Sequence, residues 1–184
     1  MVTINNVDLK NVYHYLATID NVIQKEIRQV NGNKSHLDKM VPEQLSQVYS
    51  MKQKTALMFV DNLTRTTYEN SVISLVATFE RVVFLKYRTS YGTIKTVVNT
   101  HSIKPLEYFN SRERFINDSI DTLSGIIYLI DGIIDNELLN NLKIIKDHRN
   151  YIAHGKRDSE PPAVEFSIDE IAKTLDEVIR EIEK

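Results

Sequence analysis

The sequence predicts an all-α protein in which residues 1–184 form a single bundle of five or six helices. Apolar residues recur every three or four positions in several long segments, which is the spacing of a helix face. Helix-capping sequences precede three of these segments. Glycine and proline are scarce, with 5 and 4 among 184 residues, and this disfavours a turn-rich β sandwich or barrel. A chain of this length is about one average domain.

The first half of the chain is predicted to hold three helical segments. The first covers residues 12–30 and ends at the Asn-Gly-Asn turn of residues 31–33. The second begins at Pro42, which suits the first turn of a helix, and continues to Met58; the sequence leaves open whether it joins the third segment. In the third, ten of the fourteen residues over 72–85 are apolar, so we expect the central and most buried helix there.

A connection is predicted over residues 88–105, followed by a further helix. Residues 93–97 alternate weakly between apolar and polar types, which would suit a short extended piece. Asn110 and Glu113 resemble a capping box, and they are expected to open a helix that continues to Ile130.

The last two predicted helices have clearer boundaries. Asp135 is expected to cap a helix over residues 136–154, which Gly155 ends. A loop over residues 156–162 follows. The sequence Ser-Ile-Asp-Glu at residues 167–170 is a capping box, and it predicts a final helix to Ile182.

Composition excludes several classes of site. The chain has no cysteine and therefore no disulfide or thiolate chemistry. It shows no glycine-rich phosphate loop, no dinucleotide fingerprint and no metal-ligand spacing, so no cofactor or metal is expected. No apolar run is long enough for a membrane span, and the N-terminus does not resemble a secretion signal. We therefore expect a soluble cytoplasmic protein without a membrane partner.

Residues 143–157 carry a charge of +4 in a chain whose net charge is −2, so the remaining residues carry −6. Such a patch attracts phosphates, although basic residues also suit the C-terminal end of a helix. On charge alone the second interpretation is favoured. The basic residues of this segment are Lys143, Lys146, Arg149, Lys156 and Arg157.

Two residues of this segment suit chemistry on a phosphodiester. Arg149 falls in a helical stripe with apolar residues, where a permanent cation needs an anionic partner. His154 shares a face with Asn150 and Lys146, and Arg149 is long enough to reach that face. The imidazole would move protons and the guanidinium would hold charge on phosphate. The alternative is a structural buried cation and a capping histidine, which physical chemistry alone favours.

Residues 149–154, Arg-Asn-Tyr-Ile-Ala-His, resemble the R-x4–6-H motif of the HEPN superfamily (higher eukaryotes and prokaryotes nucleotide-binding). The polar residue after the arginine and the place of the motif near the end of a late helix are also similar. The resemblance implies a helical bundle, metal-independent endoribonuclease activity and a homodimer with two motifs facing one cleft. It further implies that Arg149 and His154 are catalytic and that Asn150 supports them.

Further residues complete the candidate site. Lys146 and Tyr151 are expected to support it, and Lys143, Lys156 and Arg157 are the candidate RNA-binding residues. In a toxin branch of the family, a tyrosine two residues after the histidine is modified by a partner nucleotidyltransferase. Lys156 stands at that position here, and Tyr151 does not replace it, which argues against such silencing.

Glu80 lies in the most apolar predicted helix, where an isolated carboxylate would be costly. The segment 78–81 around it also resembles an aromatic-Glu pattern of one HEPN group associated with defence ribonucleases. Glu80 either orients Arg149 or forms a local contact with Arg81 at a polar edge of the bundle. The sequence leaves both alternatives open, and pairing two buried charges reconciles them most simply.

The sequence supports three functional hypotheses. The first is a metal-independent endoribonuclease that uses the 2′-hydroxyl of RNA, in a toxin or phage-defence role with a possible antitoxin or other defence partner. The second is a non-catalytic module that binds a nucleotide, RNA or protein through the same groove. The third is a purely structural bundle, which a fully enclosed Arg149 would favour.

Overall fold

The computed structural model describes residues 2–32, 53–100, 122–155 and 166–184. Within these ranges the regular structure is entirely helical, which confirms the predicted all-α class. Five helices are present in the described ranges: α1 (Val7–Gly32), α2 (Gln53–Thr100), α3 (Leu123–Ile130), α4 (Asn136–Ala153) and α5 (Ile168–Ile182).

The chain divides into two compact units. The larger contains Met1–Val12 and Val72–Lys184, and the smaller contains Tyr13–Ser71. The boundaries fall within α1 and within α2. The prediction of one domain over residues 1–184 stays a prediction.

The core of the larger unit is built around the part of α2 that the sequence predicts as the most buried. Val72, Leu75, Val76 and Phe79 are completely inaccessible to solvent. In the same unit α3 packs against α4, and α4 packs against α5. The apolar face of α5 is also buried, as its strong helical periodicity predicts.

The predicted connection after residue 88 is wrong, because α2 continues as a helix to Thr100. The extended piece at residues 93–97 is wrong for the same reason. Residues 88–100 contain one glycine and no proline, and β-branched residues cost a helix only a few tenths of a kcal/mol each. A helix already formed over many turns propagates through such residues.

The helix predicted from Asn110 to Ile130 does not run through Thr122, where the described residues resume. This residue has an extended backbone, and its hydroxyl accepts a hydrogen bond from the Gly125 N–H at 3.1 Å. It is therefore the N-cap of α3. Three predictions lie outside the described residues: the helix start at Pro42, the helix start at Asn110 and the loop at residues 156–162.

The caps predicted for the last two helices are confirmed. Asp135 accepts from the Glu137 N–H at 2.7 Å, and Gly155 follows α4 with a positive φ of 67°. Ser167 and Glu170 form the reciprocal capping box of α5. The hydrogen bonds from Ser167 hold the pKa of the Glu170 carboxyl below its usual value. Local sequence therefore fixes both helix starts.

A buried carboxylate joins the N-terminal residues to α5. Asp176 is only 2% exposed, and its oxygens accept hydrogen bonds from the Asn5 N–H at 3.0 Å, the Asn5 side-chain amide at 2.9 Å and the Asn6 N–H at 2.7 Å. The side chain of Asn6 in turn caps α1 by accepting from the Leu9 N–H at 3.1 Å. Asp176 thus positions the start of α1.

None of the helices in the described part of the chain has the length and apolar character that a membrane span requires.

Replacement of Asp176 is expected to destabilise the protein strongly. Asp176→Asn keeps the shape of the side chain but turns an amide toward backbone N–H groups, so we expect the free energy of unfolding to fall by about 2–3 kcal/mol. Urea denaturation measures the change. The control is Glu177→Gln on the same helix, whose exposed pair with Lys173 should contribute less than about 0.5 kcal/mol. Equal losses in the two variants would contradict this role of Asp176.

Candidate active site

The orientation of α4 decides which residues of the 149–154 motif reach solvent. Its buried residues, Leu139, Leu142, Ile145 and His148, are spaced three apart. Because three residues fall short of a full turn, the buried side moves about 60° around the helix at each step. The C-terminal end of α4 therefore presents a different side to solvent from its N-terminal end.

Arg149 is not in the buried stripe, contrary to the prediction from the helical wheel. His148 occupies that position and is 5% exposed, whereas the Arg149 side chain is 33% exposed at the edge of the core. The helical-wheel prediction took the buried positions to alternate between three-residue and four-residue steps as far as Ile152. The three-residue steps from Leu139 to Leu142 and Ile145 are the sequence signal that could have pointed to His148 as the next buried residue.

Glu80 on α2 approaches both α3 and the candidate site on α4. Its Oε1 accepts a hydrogen bond from the Leu123 N–H at 2.8 Å, and its Oε2 lies 3.6 Å from the Arg149 Nη2. The Glu80 side chain is only 15% exposed. Arg81 lies 3.6 Å from Asp8 instead. Of the two alternatives for Glu80, the structure contains the pair with Arg149.

Asn150 holds the other side of the Arg149 guanidinium. The Arg149 Nη1 donates a hydrogen bond to the Asn150 Oδ1 at 3.1 Å. Arg149 and His154 project from α4 about 140° apart, whereas Asn150 and His154 are only about 40° apart. The contact with Asn150 therefore brings the guanidinium toward the side of the helix that carries His154.

His154 is the C-cap of α4, and its side chain is exposed to solvent. Its N–H donates to the Asn150 carbonyl at 2.9 Å, and the Gly155 N–H donates to the Ile152 carbonyl at 3.1 Å. Gly155 adopts the left-handed conformation that ends the helix. The backbone of His154 is thus fixed while its imidazole remains accessible.

The remaining predicted site residues differ in exposure. The Lys146 side chain is 27% exposed, and its Nζ lies 3.4 Å from an oxygen of Asp147. Lys143 is exposed and Tyr151 is half-buried. Lys156 and Arg157 lie outside the described residues.

The described residues place the site at the surface of α4, where Arg149 is one-third exposed and His154 is exposed. A groove of about 490 Å³ in the same unit is lined by residues of α2, α3 and the end of α5, including Tyr87, Ile130 and Ile182. Partial burial raises the pKa of Tyr87 there. Neither Arg149 nor His154 lines this groove.

Three groups of different chemistry are therefore combined at the end of α4: a fixed guanidinium, an amide that orients it and an accessible imidazole. Groups of these three kinds can bind a phosphate group and transfer a proton. Among the described residues, no group of three or more His, Asp or Glu side chains is placed to hold a metal ion.

Comparisons of the chain with family models, with curated proteins and with solved structures found no match.

The Glu80–Arg149 pair is expected to show a measurable coupling energy. Glu80→Gln retains an oxygen for the Leu123 N–H but loses the charge opposite Arg149. In a double-mutant cycle with Arg149→Gln, we expect a coupling of about 1 kcal/mol in the free energy of unfolding, because the pair is partly shielded from water.

The exposed pair of Asp8 and Arg81 is a matched control for this cycle. It has the same 3.6 Å separation, but its side chains are 51% and 60% exposed. The cycle of Asp8→Asn and Arg81→Gln should give a coupling near zero. Equal coupling in the two cycles would show that burial adds nothing to the Glu80–Arg149 pair.

Proposed function

We propose that this chain is a metal-independent endoribonuclease of the HEPN type, with its active site at the C-terminal end of α4. The observation that carries the proposal is the position of the Arg149 guanidinium. It is held by Glu80 at 3.6 Å and by Asn150 at 3.1 Å, and Asn150 lies about one helical turn before the exposed His154. A cation fixed beside a proton-transfer group is what phosphodiester cleavage requires.

In the proposed reaction the 2′-hydroxyl of RNA attacks the adjacent phosphorus, and the bond from phosphorus to the 5′-oxygen of the next nucleotide breaks. His154 takes part in proton transfer, and Arg149 stabilises the charge on the phosphorane oxygens. Asn150 keeps the guanidinium in place. The products carry a 2′,3′-cyclic phosphate and a 5′-hydroxyl, and DNA is inert because it lacks the nucleophile.

The partial exposure of Arg149 supports this proposal over a purely structural role. A structural cation would be enclosed by the protein, whereas one-third of the Arg149 side chain is accessible. Asn150 accepts a hydrogen bond from Nη1 and Glu80 faces Nη2. A guanidinium has five N–H donors, so these two contacts leave further donors for a phosphate.

A binding module is the second candidate function, and one observation favours it. Among the described residues, no side-chain hydrogen bond orients the imidazole of His154, whereas catalytic histidines are commonly oriented by a neighbour. A module of this kind would anchor a phosphate of RNA or of a nucleotide on Arg149 without cleaving it.

The proposed biological role is that of a toxin or a phage-defence effector, as the resemblance to HEPN proteins implies. RNA would be the substrate, and an antitoxin or another defence component would be a partner.

Replacement of His154 is expected to abolish cleavage without unfolding the protein. His154→Ala should lower the cleavage rate at least about a hundredfold, with little change in the unfolding midpoint, because the imidazole is exposed. Arg149→Ala should also abolish cleavage, but it should lower stability and weaken RNA binding. Gel assays of a labelled RNA and thermal denaturation measure these effects.

The control for the histidine replacement is His14→Ala in the smaller unit, which should cleave as wild type does. Wild-type activity in the His154→Ala variant would end the enzyme hypothesis in favour of the binding module.

Cleavage is expected to continue in excess EDTA. Every group in the proposed step comes from the chain or from the RNA itself, so removal of divalent ions should leave the rate within about twofold at constant ionic strength. Loss of activity that magnesium restores would contradict the mechanism.

The active species is expected to be a homodimer in which two copies of the site face one cleft. One chain supplies one exposed imidazole at the site, and a two-fold axis is the commonest way to bring a second one opposite. Light scattering should give the mass of a dimer. Mixing the inactive Arg149→Ala and His154→Ala chains should restore part of the activity, because mixed dimers regain one of each group. A fully active monomer would refute this arrangement.

A further inference from the structure

The groove of about 490 Å³ lies within the larger unit, and its volume is in the range of small-molecule sites, about 300–1,000 Å³. One side of it comes from α3 and the turn that follows. The side chains on this side are all aliphatic: Ile126, Leu129, Ile130 and Ile133. Ile133 is 68% exposed although its side chain is large and apolar. An apolar ligand would remove that surface from water.

The side of the groove formed by α2 and the end of α5 also has polar groups. The Lys86 Nζ forms an ion pair with the Glu183 Oε1, and each of these side chains is a little under half exposed. Burial raises the pKa of the Tyr87 hydroxyl, so water is partly excluded here. This side of the groove is lined by Val83, Lys86, Tyr87, Ser90, Ile182 and Glu183. The groove therefore combines an aliphatic side with a side that carries a paired cation and anion.

The ion pair determines which head group the groove accepts. Because Lys86 and Glu183 neutralise each other, an anionic ligand would be attracted by one and repelled by the other, and the same holds for a cationic ligand. Either ligand would also lose hydration of its charge. A hydroxyl group suits both residues at once, since its O–H donates to the carboxylate and its oxygen accepts from the ammonium. The charges of the groove therefore favour an uncharged alcohol.

We infer that this groove is a binding site for a small uncharged molecule with an apolar body and a hydroxyl group. The body packs against the aliphatic side chains of α3 and Ile133, and the hydroxyl lies between Lys86 and Glu183. The groove shares no lining residue with the candidate site on α4, because neither Arg149 nor His154 contributes to it. Binding of such a ligand therefore does not require nuclease activity.

Three probes with the same eight-carbon chain and different head groups test the inference: 1-octanol, octanoate and octylammonium. At pH 7 the last two are charged. Each is titrated into the full chain, and the backbone amide shifts of α3 and of the end of α5 give the affinity. Octanol should bind saturably and about tenfold more tightly than either charged probe. Equal affinity for the three probes, or no saturable binding of octanol, would overturn the inference.

Two charge variants should change the preferred head group. Glu183→Gln leaves Lys86 without its anion, so the affinity for octanoate should rise about tenfold relative to octanol. Lys86→Gln should do the same for octylammonium. The control is Glu181→Gln, because Glu181 pairs with Lys184 and does not line the groove, and it should leave the ranking of the probes unchanged. An unchanged ranking in both charge variants would overturn the role of the pair.

A third variant tests the aliphatic side of the groove. Ile133→Ser should weaken octanol binding about fivefold with little change in the melting temperature, because the side chain it replaces is mostly exposed. The matched control is Tyr128→Ser, which removes an exposed side chain of α3 that does not line the groove and should bind octanol as wild type does. Equal affinities in these two variants would place the bound octanol outside the groove.

Discussion

The candidate site depends on the two contacts of the Glu80 carboxylate. This carboxylate connects three helices, because one oxygen accepts the Leu123 N–H at the start of α3 and the other faces Arg149 on α4. A carboxylate so little exposed to water loses much of its hydration, and the two contacts offset that cost. The N-terminus of a helix is a favourable place for a negative charge. One side chain of α2 thus contacts both the first residue of α3 and the guanidinium of Arg149 on α4.

The sequence predicted the parts of the fold that local chemistry controls. The caps of α4 and α5 were found because Asp135, Ser167 and Glu170 act within one turn of their own helix. The break at Thr122 was missed because an unbroken apolar pattern crosses it. The role of Asp176 was not visible either, because its partners at Asn5 and Asn6 are about 170 positions away in sequence and no local signal links them.

In the candidate site, too, the sequence predicted some features and missed others. The pairing of Glu80 with Arg149 was an open alternative, since a costly carboxylate and a costly cation in one small core favour each other. The exposure of Arg149 was not predicted, because the wheel analysis took α4 to pack along a straight stripe. The observed three-residue steps turn the buried side toward His148 at the end of the helix. That rotation depends on how α4 crosses its neighbours, and a single helical wheel does not contain it.

The pair with Glu80 has a consequence for the proposed chemistry. A guanidinium already facing a carboxylate attracts a singly charged phosphodiester less strongly than an isolated guanidinium would, so the pair lowers affinity for the ground state. The phosphorane carries more negative charge, and it competes better with Glu80 for the same cation. Catalysis depends on this difference between ground state and transition state and not on tight binding of the substrate. Because Glu80 and Asn150 also fix the orientation of Arg149 beforehand, little reorganisation is needed when the charge develops. In the proposed nuclease the ion pair would therefore favour turnover over retention of RNA, and this would distinguish it from a module that only binds.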